Sequence, residues 1–573
     1  MQNFNRLTKK LKNDFSALKK LNIAILGDSA TQLLVQAIRA TGFDYGYNLQ
    51  VWEADFNQIE RQVLDSSSDF YKSEPEIVFL LLSSHKLLDK YNKLEPIQYE
   101  TLAEMQMDLV HQLYSTIKNH LNAKVICCNF PEINDSVYGS YANKTEASFL
   151  FQIRKLNYEL MLLAKKHPDF FICDISSVQN YMGRNKLFQA SMYINTDMVL
   201  SVDVLPEVAK ITLDIISTLD GNFKKCLILD LDDTLWGGVI GDDGIENIEL
   251  GSLGIGKAFT EFQYWIKKLK NRGIIICVCS KNSETIAKEA FENHPDMILR
   301  PDDIAVFIAN WENKADNIRN IQNILNIGFD SMVFLDNNPF ERNLVKENIP
   351  EICVPELPED PADYLEFLYS LNLFETASLS GEDAERTKNY QIEYQRSNFK
   401  KTFTGEDDFL KSLNMISSVQ TFNKFSIPRV AQLSQRSNQF NLRTVRYTEA
   451  DIKRFSVSET HLTFTFSLED KFGDNGLICI IILKKDEGST LFIDTWLMSC
   501  RILKRGMEHF VMNTIVNEAK EKGFDYLKGE YIQTAKNEMV KDHYKNLGFA
   551  EHDNFWILNT SGYKNKKCFI HKK

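Results

Sequence analysis

Two aspartates, Asp230 and Asp232, stand two residues apart in the run Asp230-Leu231-Asp232-Asp233-Thr234, directly after the apolar stretch Cys226-Leu227-Ile228-Leu229. That stretch reads as a buried parallel strand, and the carboxyl end of such a strand is where open α/β sheets place their ligands. One aspartate can attack phosphorus and carry the phosphoryl group as an aspartyl-phosphate, while its neighbour moves the proton. A carboxylate approaching a negative phosphate needs a cation between the two, and carboxylate plus phosphate oxygen is the donor set Mg²⁺ prefers. Asp-rich turns after strands are common, so one such turn carries little weight. Three further blocks follow it in order.

The apolar run Ile274-Ile275-Ile276-Cys277-Val278-Cys279 ends in Ser280-Lys281-Asn282, where a hydroxyl at a strand exit can bind a phosphoryl oxygen or cap a helix. Trp311-Glu312-Asn313-Lys314 then opens a helical segment, with Lys314 placed to neutralise phosphate charge. Met332-Val333-Phe334-Leu335 ends in Asp336-Asn337-Asn338-Pro339, a third strand exit with an acid suited to the same metal. Together the blocks resemble the motifs of haloacid dehalogenase (HAD) phosphatases: DxDxT, Ser/Thr, Lys and a final acidic pair. The resemblance implies that Asp230 is the nucleophile and Asp232 the general acid/base. It further implies that Asp230, Asp336 and the backbone carbonyl of Asp232 ligate Mg²⁺, and that Thr234, Ser280, Lys281 and Lys314 hold phosphate. One position departs from the pattern: Asn337 stands where many relatives carry a second acid, which removes a charge but leaves the ligand at 336.

A chain of 573 residues must position these groups, and that length predicts roughly three or four domains. Hydrophobic content of 44% and 11% aromatics suffice for full cores, and no low-complexity tract interrupts them. A net charge of -12 argues against a nucleic-acid partner, because phosphate backbones would be repelled and no basic, aromatic-studded stripe offsets it. No apolar run approaches the ~20 residues of a membrane span. Met1 to Lys20 carries Phe4, Leu7, Leu11, Phe15 and Leu18 among lysines, which predicts an amphipathic helix packed on the body rather than a signal peptide. The ten cysteines are dispersed without a CxxC pair, so neither zinc nor a disulfide framework is indicated, and the cytoplasm is the expected location.

Up to about residue 220, strands at Asn22 to Leu26, Ile77 to Leu82 and Lys124 to Cys128 alternate with helical patterns such as Thr31 to Ala40 and Leu102 to Ile117. Alternation of this kind predicts a parallel, flavodoxin-like sheet with helices on both faces. Gly27-Asp28-Ser29 at the first strand exit resembles the nucleophile block of SGNH hydrolases, in which Ser29 would attack an ester. Asp203-Val204-Leu205-Pro206 stands where their Asp-x-x-His block is expected, and Ser83-Ser84-His85 where Gly-x-Asn-Asp is expected. A serine without its base is a poor nucleophile, so residues 1–220 are expected to form a degenerate SGNH-like domain used for docking or binding.

Residues 221–375 would form the HAD-like domain. Gly237, Gly238, Gly241 and Gly244 predict a turn-rich flap with a short hairpin and leave no room for a large cap, so the site should be open to a bulky substrate. The proline-rich segment 350–361 marks the way out. Residues 385–573 carry a strand at Leu491 to Trp496, then Met498-Ser499-Cys500-Arg501 and a helix from about Gly506 to Lys522. A strand, a donor-rich turn and a helix N-terminus make a cradle for pyrophosphate. Arg501-Ile502-Leu503-Lys504-Arg505-Gly506 resembles the acyl-CoA motif of GNAT acyltransferases, an α+β fold, with Lys504 where the first glycine is expected. By that resemblance Arg501, Arg505 and Gly506 hold the cofactor arm, Asn537 contacts pantetheine and Tyr544 protonates the leaving thiolate, the last two lying on one helical face. The lysine puts free coenzyme A in doubt and leaves a carrier-borne phosphopantetheine arm as the ligand.

Longer motifs narrow the resemblance. Leu229 to Gly238, Gln435-Arg436-Ser437-Asn438-Gln439-Phe440-Asn441-Leu442, Phe472-Gly473-Asp474-Asn475-Gly476 and Ser499-Cys500-Arg501 resemble the FkbH-like proteins, HAD subfamily IIIC, over nearly the whole chain. That family implies loading of a glyceryl group from 1,3-bisphosphoglycerate, through an enzyme thioester, onto an acyl carrier protein with loss of phosphate. Cys500, flanked by Arg501, Lys504 and Arg505, is the candidate thiol because nearby cations lower a thiol's pKa; Cys279 is its rival. Arg436, Asn438, Gln439 and Asn441 are candidates to line the acyl pocket. The competing expectations are a plain Mg²⁺-dependent phosphatase acting on a small phosphorylated sugar or acid, and a non-catalytic scaffold for carrier proteins.

Overall fold

The computed structural model describes residues 3–573 apart from 56, 380–385, 401, 438, 500, 501 and 535, and apart from the side chains of 397, 398 and 436. It divides into two compact units, Met1–Ser217 and Thr218–Lys573. Among the described residues no helix is long and apolar enough to cross a membrane.

In the first unit the apolar runs form β1 (Lys19–Gly27), β2 (Tyr47–Glu53), β3 (Ile77–Leu81), β4 (Lys124–Cys128) and β5 (Phe170–Cys173). All neighbours are parallel, in the flavodoxin-like order β2-β1-β3-β4-β5. The helices Leu102–His120 and Phe149–Lys166 bury one apolar stripe each against this sheet, which is why β3 is buried at every residue and reads as a continuous apolar run. The amino terminus departs from expectation. Instead of one helix to Lys20 there is a short helix, Phe4–Thr8, capped by Asn3, then a 3₁₀ turn to Lys12, and the chain is already in β1 at Lys19. Asn13 is extended and ends the turn. The packing expectation fares better, with Phe4 and Leu7 buried and Phe15 edge-on to Phe43.

The second unit contains two sheets. β6 (Cys226–Leu229), β7 (Ile275–Ser280), β8 (Val306–Ala309) and β9 (Met332–Leu335) lie parallel in the order β8-β7-β6-β9. Leu227 and Leu229 face one apolar cluster and Cys226 and Ile228 the other, so β6 is buried on both sides. The chain moves from β6 to β7 to β8 in one direction and then crosses to β9 on the other flank of β6. The topological switch point therefore falls between β6 and β9, where ligands of such sheets bind. The segment after β6 forms a flap, with a helical turn Ile240–Asp243 and two isolated bridges, Asp232 to Trp236 and Gly237 to Glu249, where a hairpin was expected. The proline-rich segment is also different from expectation: rather than leaving the domain, it returns Cys353 to the sheet beside Val333, and Tyr364, Leu368 and Phe374 complete the core.

The second sheet is mixed. It runs through the long antiparallel strands β12 (His461–Asp470), β13 (Gly473–Lys485) and β14 (Thr490–Met498), after β10 (Met415–Ser417) and β11 (Val419–Gln420). β15 (Tyr526–Gly529) is parallel to β14, and helix Met507–Glu521 connects them, as expected of a GNAT-like α+β domain. β16 (Ala550–His552), β17 (Phe555–Asn559) and β18 (Ile570–Lys572) complete the sheet.

Candidate active site

Asp230 leaves β6 with its N–H bonded to Leu335 O at 3.0 Å, which locks the exits of β6 and β9 together. Asp336 leaves β9 fully buried, and Lys314, the first residue of helix Lys314–Leu325, reaches between the two acids. Its Nζ lies 2.9 Å from Asp230 Oδ1 and 2.6 Å from Asp336 Oδ2, which confines those oxygens to within about 5.5 Å of each other. One ammonium serves two carboxylates here. Burial works against the charge on Lys314, but the two acids outweigh it and hold the ammonium above its ordinary value. Burial, then Asp230, pushes Asp336 up to about 6 despite the lysine. The cluster keeps a net negative charge and can accept a divalent cation. Among the described residues no group of three His, Cys, Asp or Glu side chains comes together. A metal held by Asp230 and Asp336 would therefore need carbonyl or water oxygens to complete its shell, which suits a small hard cation.

Asp232 faces the flap. Its Oδ1 accepts from Trp236 Nε1 at 3.0 Å and from the Ile240 N–H at 3.1 Å, and its Oδ2 accepts from Asn282 Nδ2 at 2.9 Å. Burial raises its pKa above the ordinary carboxylate value against the pull of these donors, and Asp230 and Asp233 add to the rise. Such a group can hold a proton and give it up. The turn that carries it depends on its glycines: Gly238 has φ +88°, and a Cβ on Gly237 would lie 2.5 Å from Glu249 Oε2. Trp236 and Asn282 are functional neighbours that the motif reading left without a role.

The remaining predicted residues divide. Thr234 is buried and clamps the site from behind, its Oγ1 accepting from the Asn337 N–H at 3.1 Å and donating to Asn337 Oδ1 at 3.3 Å. Asn337, where a second acid was expected, thus serves the loop. Arg342, not anticipated, donates to the carbonyls of Asp336 and Asn337 at 2.8 and 2.6 Å. Ser280 ends β7, buried at the same face. Lys281 Nζ lies 2.7 Å from Glu341 Oε1. Cys279 is buried, which pushes its thiol up, and its Sγ lies 3.7 Å from Lys314 O.

The model of the FkbH N-terminal domain matches residues 22–217. The crystal structure of the N-terminal part of the protein BF1531 from Bacteroides fragilis, containing a phosphatase domain and complexed with Mg, is 56% identical. The match covers 66% of this chain and 100% of that one, with a TM-score of 0.63. The chain belongs to the FkbH-like family. No curated protein matches it. The ribosomal-protein-S18-alanine N-acetyltransferase from Escherichia coli aligns with the FkbH-like chain at 15% identity, over 26% of this chain and 99% of its own, with a TM-score of 0.21. A GNAT acetyltransferase from Staphylococcus aureus does so at 10%, 25%, 99% and 0.21.

In this FkbH-like protein the residues expected to handle an acyl group are described only in part. Cys500, Arg501 and Asn438 lie outside the described residues, as does the side chain of Arg436. Arg505 is buried in an ion network, donating to Glu393 and to Asp470 at 3.3 Å, with Arg396 2.8 Å from the same aspartate. Asn537 is fully buried and spent on the backbone: its amide donates to Asn441 O and Ile532 O at 2.9 Å and accepts from Thr534 N–H at 2.7 Å. It precedes a 3₁₀ turn, whereas Tyr544 lies in the separate helix His543–Leu547, so no single helical face carries both. The Tyr544 hydroxyl is buried without a partner, among core aromatics and against Gly529. Gly506 and Lys504 keep left-handed backbone, φ +76° and +65°, so the lysine adopts the conformation that a glycine would favour.

The strand pair that frames this region explains the difference. β15 pairs with β14 only at Thr490–Phe492, and beyond that the carboxyl half of β14 would offer an open edge. The chain itself fills it. Met498 N–H donates to Phe440 O at 3.1 Å, Leu442 N–H to Trp496 O at 3.4 Å and Ile532 N–H to Leu442 O at 2.9 Å. Residues 440–442 therefore occupy the edge of β14 beyond its pairing with β15. Asn441 contributes backbone here and is buried; Gln439 borders a cavity next to it. In the first unit Ser29 is likewise buried with its Oγ unpartnered, Asp203 and Val204 lie in a 3₁₀ turn, and Asp28 Oδ2 accepts from Ser83 N–H at 2.7 Å.

Proposed function

We propose that this protein is a Mg²⁺-dependent phosphatase of the HAD type, with Asp230 as nucleophile and Asp232 as general acid/base. The observation that carries the reading is the buried Asp230–Lys314–Asp336 cluster at the switch point of a parallel sheet. Mg²⁺ held by Asp230 and Asp336 would offset the repulsion between carboxylate and phosphate. An Asp230 oxygen attacks phosphorus as the ester oxygen leaves, and Asp232 supplies that oxygen's proton. Asp232 then takes a proton from water as the water cleaves the aspartyl-phosphate, which releases phosphate and restores Asp230. Lys314 steadies the nucleophile. Full-length Asp230→Asn should lose phosphate release from p-nitrophenyl phosphate; release at the wild-type rate refutes the assignment.

In its finer form, the proposal has the enzyme load a glyceryl group from 1,3-bisphosphoglycerate onto the phosphopantetheine thiol of an acyl carrier protein through a thioester on Cys500, in the cytoplasm, with domains at about 1–220, 221–375 and 385–573. Membership of the FkbH-like family supports this form. Intact mass spectrometry after incubation with 1,3-bisphosphoglycerate tests it, a glyceryl adduct being the expected result. A second reading is favoured by the filled β14 edge and the buried Asn537 and Tyr544: a plain phosphatase whose third domain only binds. Absence of an adduct on the enzyme and on a supplied carrier protein would decide for that reading.

A further inference from the structure

At the carboxyl edge of the phosphatase sheet three large apolar side chains stand in water: Trp311 is 77% exposed, Phe340 67% and Val239 40%. Single exposed apolar residues are ordinary on a protein surface. These three are not scattered, because each sits on a loop tied by hydrogen bonds to a residue of the catalytic motifs.

Trp311 follows Asn310, whose N–H donates to Ser280 O at 3.1 Å, and the same loop runs on to Lys314. Val239 precedes Ile240, whose N–H donates to Asp232 Oδ1 at 3.1 Å. Phe340 is joined to Asp336 through Asn338: the Asn338 N–H donates to Asp336 Oδ1 at 2.8 Å, and the Phe340 N–H donates to Asn338 Oδ1 at 2.9 Å. The strand order β8-β7-β6-β9 puts Trp311 at one flank of the edge, Phe340 at the other and Val239 between them, over about 14 Å of strand spacing. The Asp230–Lys314–Asp336 cluster lies within that span, at the exits of β6 and β9.

The same edge buries an aromatic where one serves the fold. Trp236 is fully buried and donates to Asp232. Among the described residues neither Trp311 nor Phe340 belongs to the apolar clusters on the two faces of the sheet. Their rings therefore add nothing to the core and leave apolar area in water, beside a site whose carboxylates and lysine address only a phosphate and its metal. Apolar residues grouped around a few convergent polar groups are how ligand sites hold the part of a molecule that does not react.

We infer that Trp311 and Phe340, with Val239, are the specificity residues of the phosphatase site, and that its substrate is a phosphate monoester whose leaving group is an extended chain with apolar surface. The inference rests on the phosphatase reading and names the substrate class of that site. With phosphorus at Asp230, the rest of the ester leaves the strand exits along the loops that carry these side chains, and covering them removes apolar area of both partners from water.

Ethyl and hexyl phosphate test this, because they share one leaving-group chemistry and differ only in chain length. Wild-type full-length protein with Mg²⁺ should hydrolyse hexyl phosphate with a kcat/KM at least about tenfold above that for ethyl phosphate, most of it in KM, since each methylene fully covered contributes up to about fourfold. Trp311→Ala and Phe340→Ala should each lower that ratio to below about threefold. Equal kcat/KM for the two esters in the wild type, or a wild-type ratio in both variants, overturns the inference. The corresponding phosphonates, which are not hydrolysed, give a reading that needs no turnover. Hexylphosphonate with Mg²⁺ should shift the tryptophan emission of the wild-type protein to the blue as the Trp311 ring loses water, Trp311→Phe should abolish the shift, and ethylphosphonate should not produce it. No shift, or a shift that survives in Trp311→Phe, overturns the inference as well. Phosphate release retained in Asp230→Asn would refute the nucleophile while the alkyl ratio and the emission shift still decide the role of the rim.

Discussion

Replacing Lys314 with methionine isolates the electrostatics on which the proposed site rests. The ammonium lies 2.9 and 2.6 Å from carboxylate oxygens of Asp230 and Asp336. At a separation of at most about 5.5 Å and an effective dielectric constant of about 20, the two acids repel by at least roughly 3 kcal/mol, equivalent to about two pKa units. With the lysine in place Asp336 already reaches about 6, raised by burial and then by Asp230. In Lys314→Met the pair should hold one proton to still higher pH. A folded-state carboxyl pKa above its unfolded value means that the folded protein binds more protons through that window, so stability is lost as pH rises through it. The variant should therefore lose about 3–5 kcal/mol at pH 8, the cost of breaking a buried ion pair, and less at pH 5.5. Urea unfolding in EDTA, followed by tryptophan fluorescence at the two pH values, measures this. A deficit below about 1 kcal/mol, or one that does not change with pH, would refute the view that Lys314 is the counter-ion of both acids.

Three other outcomes follow from the same geometry. Gly238→Ala places a Cβ 2.7 Å from Asp243 Oδ2 in a left-handed turn, so it should cost about 1–2 kcal/mol by thermal melting and slow phosphate release by displacing the flap that holds Asp232. Burial beside Trp496 and Phe440 pushes the His543 imidazole down to about 3; because its folded pKa lies below the unfolded one, stability should fall as pH drops from about 6.5 towards 3, and His543→Phe should flatten that limb of the acid-unfolding curve. Tyr544→Phe removes a buried hydroxyl that has no partner, so it should leave stability unchanged or raise it by up to about 1 kcal/mol without altering any acyl transfer measured by mass spectrometry.

The parallel sheets were legible because their strands are buried on both faces and their residues are apolar without interruption, as at Cys226–Leu229 and Ile77–Leu81. The exits of β6, β7 and β9 were legible for the same reason: an acid or hydroxyl directly after such a run has nowhere to go but the sheet's carboxyl edge. What local sequence does not carry is pairing at a distance. Local sequence does not show that Glu393 and Asp470 come beside Arg505. Nor does it show that Glu341, on a later helix, comes beside Lys281. The amino-terminal periodicity fits a helix, yet Asn13 is extended and the lysine-rich stretch ends in a turn before β1.

The contrast between the two halves of the second unit has a physical origin. Phosphatase chemistry needs carboxylates at strand exits, and a strand exit is fixed by the few residues around it, so a motif there survives folding intact. An arm-binding gap is instead a space between two strands, and its use depends on whatever else the chain can put there. Residues 440–442 reach the open half of β14 and bond to it through their backbone, satisfying Trp496 O and the Met498 N–H. Unpaired backbone groups buried at that edge would cost about 1–3 kcal/mol each, so the chain gains by filling it with its own amides, and any external amide must first displace them. Opening that edge would expose Phe440 and Leu442, both buried now.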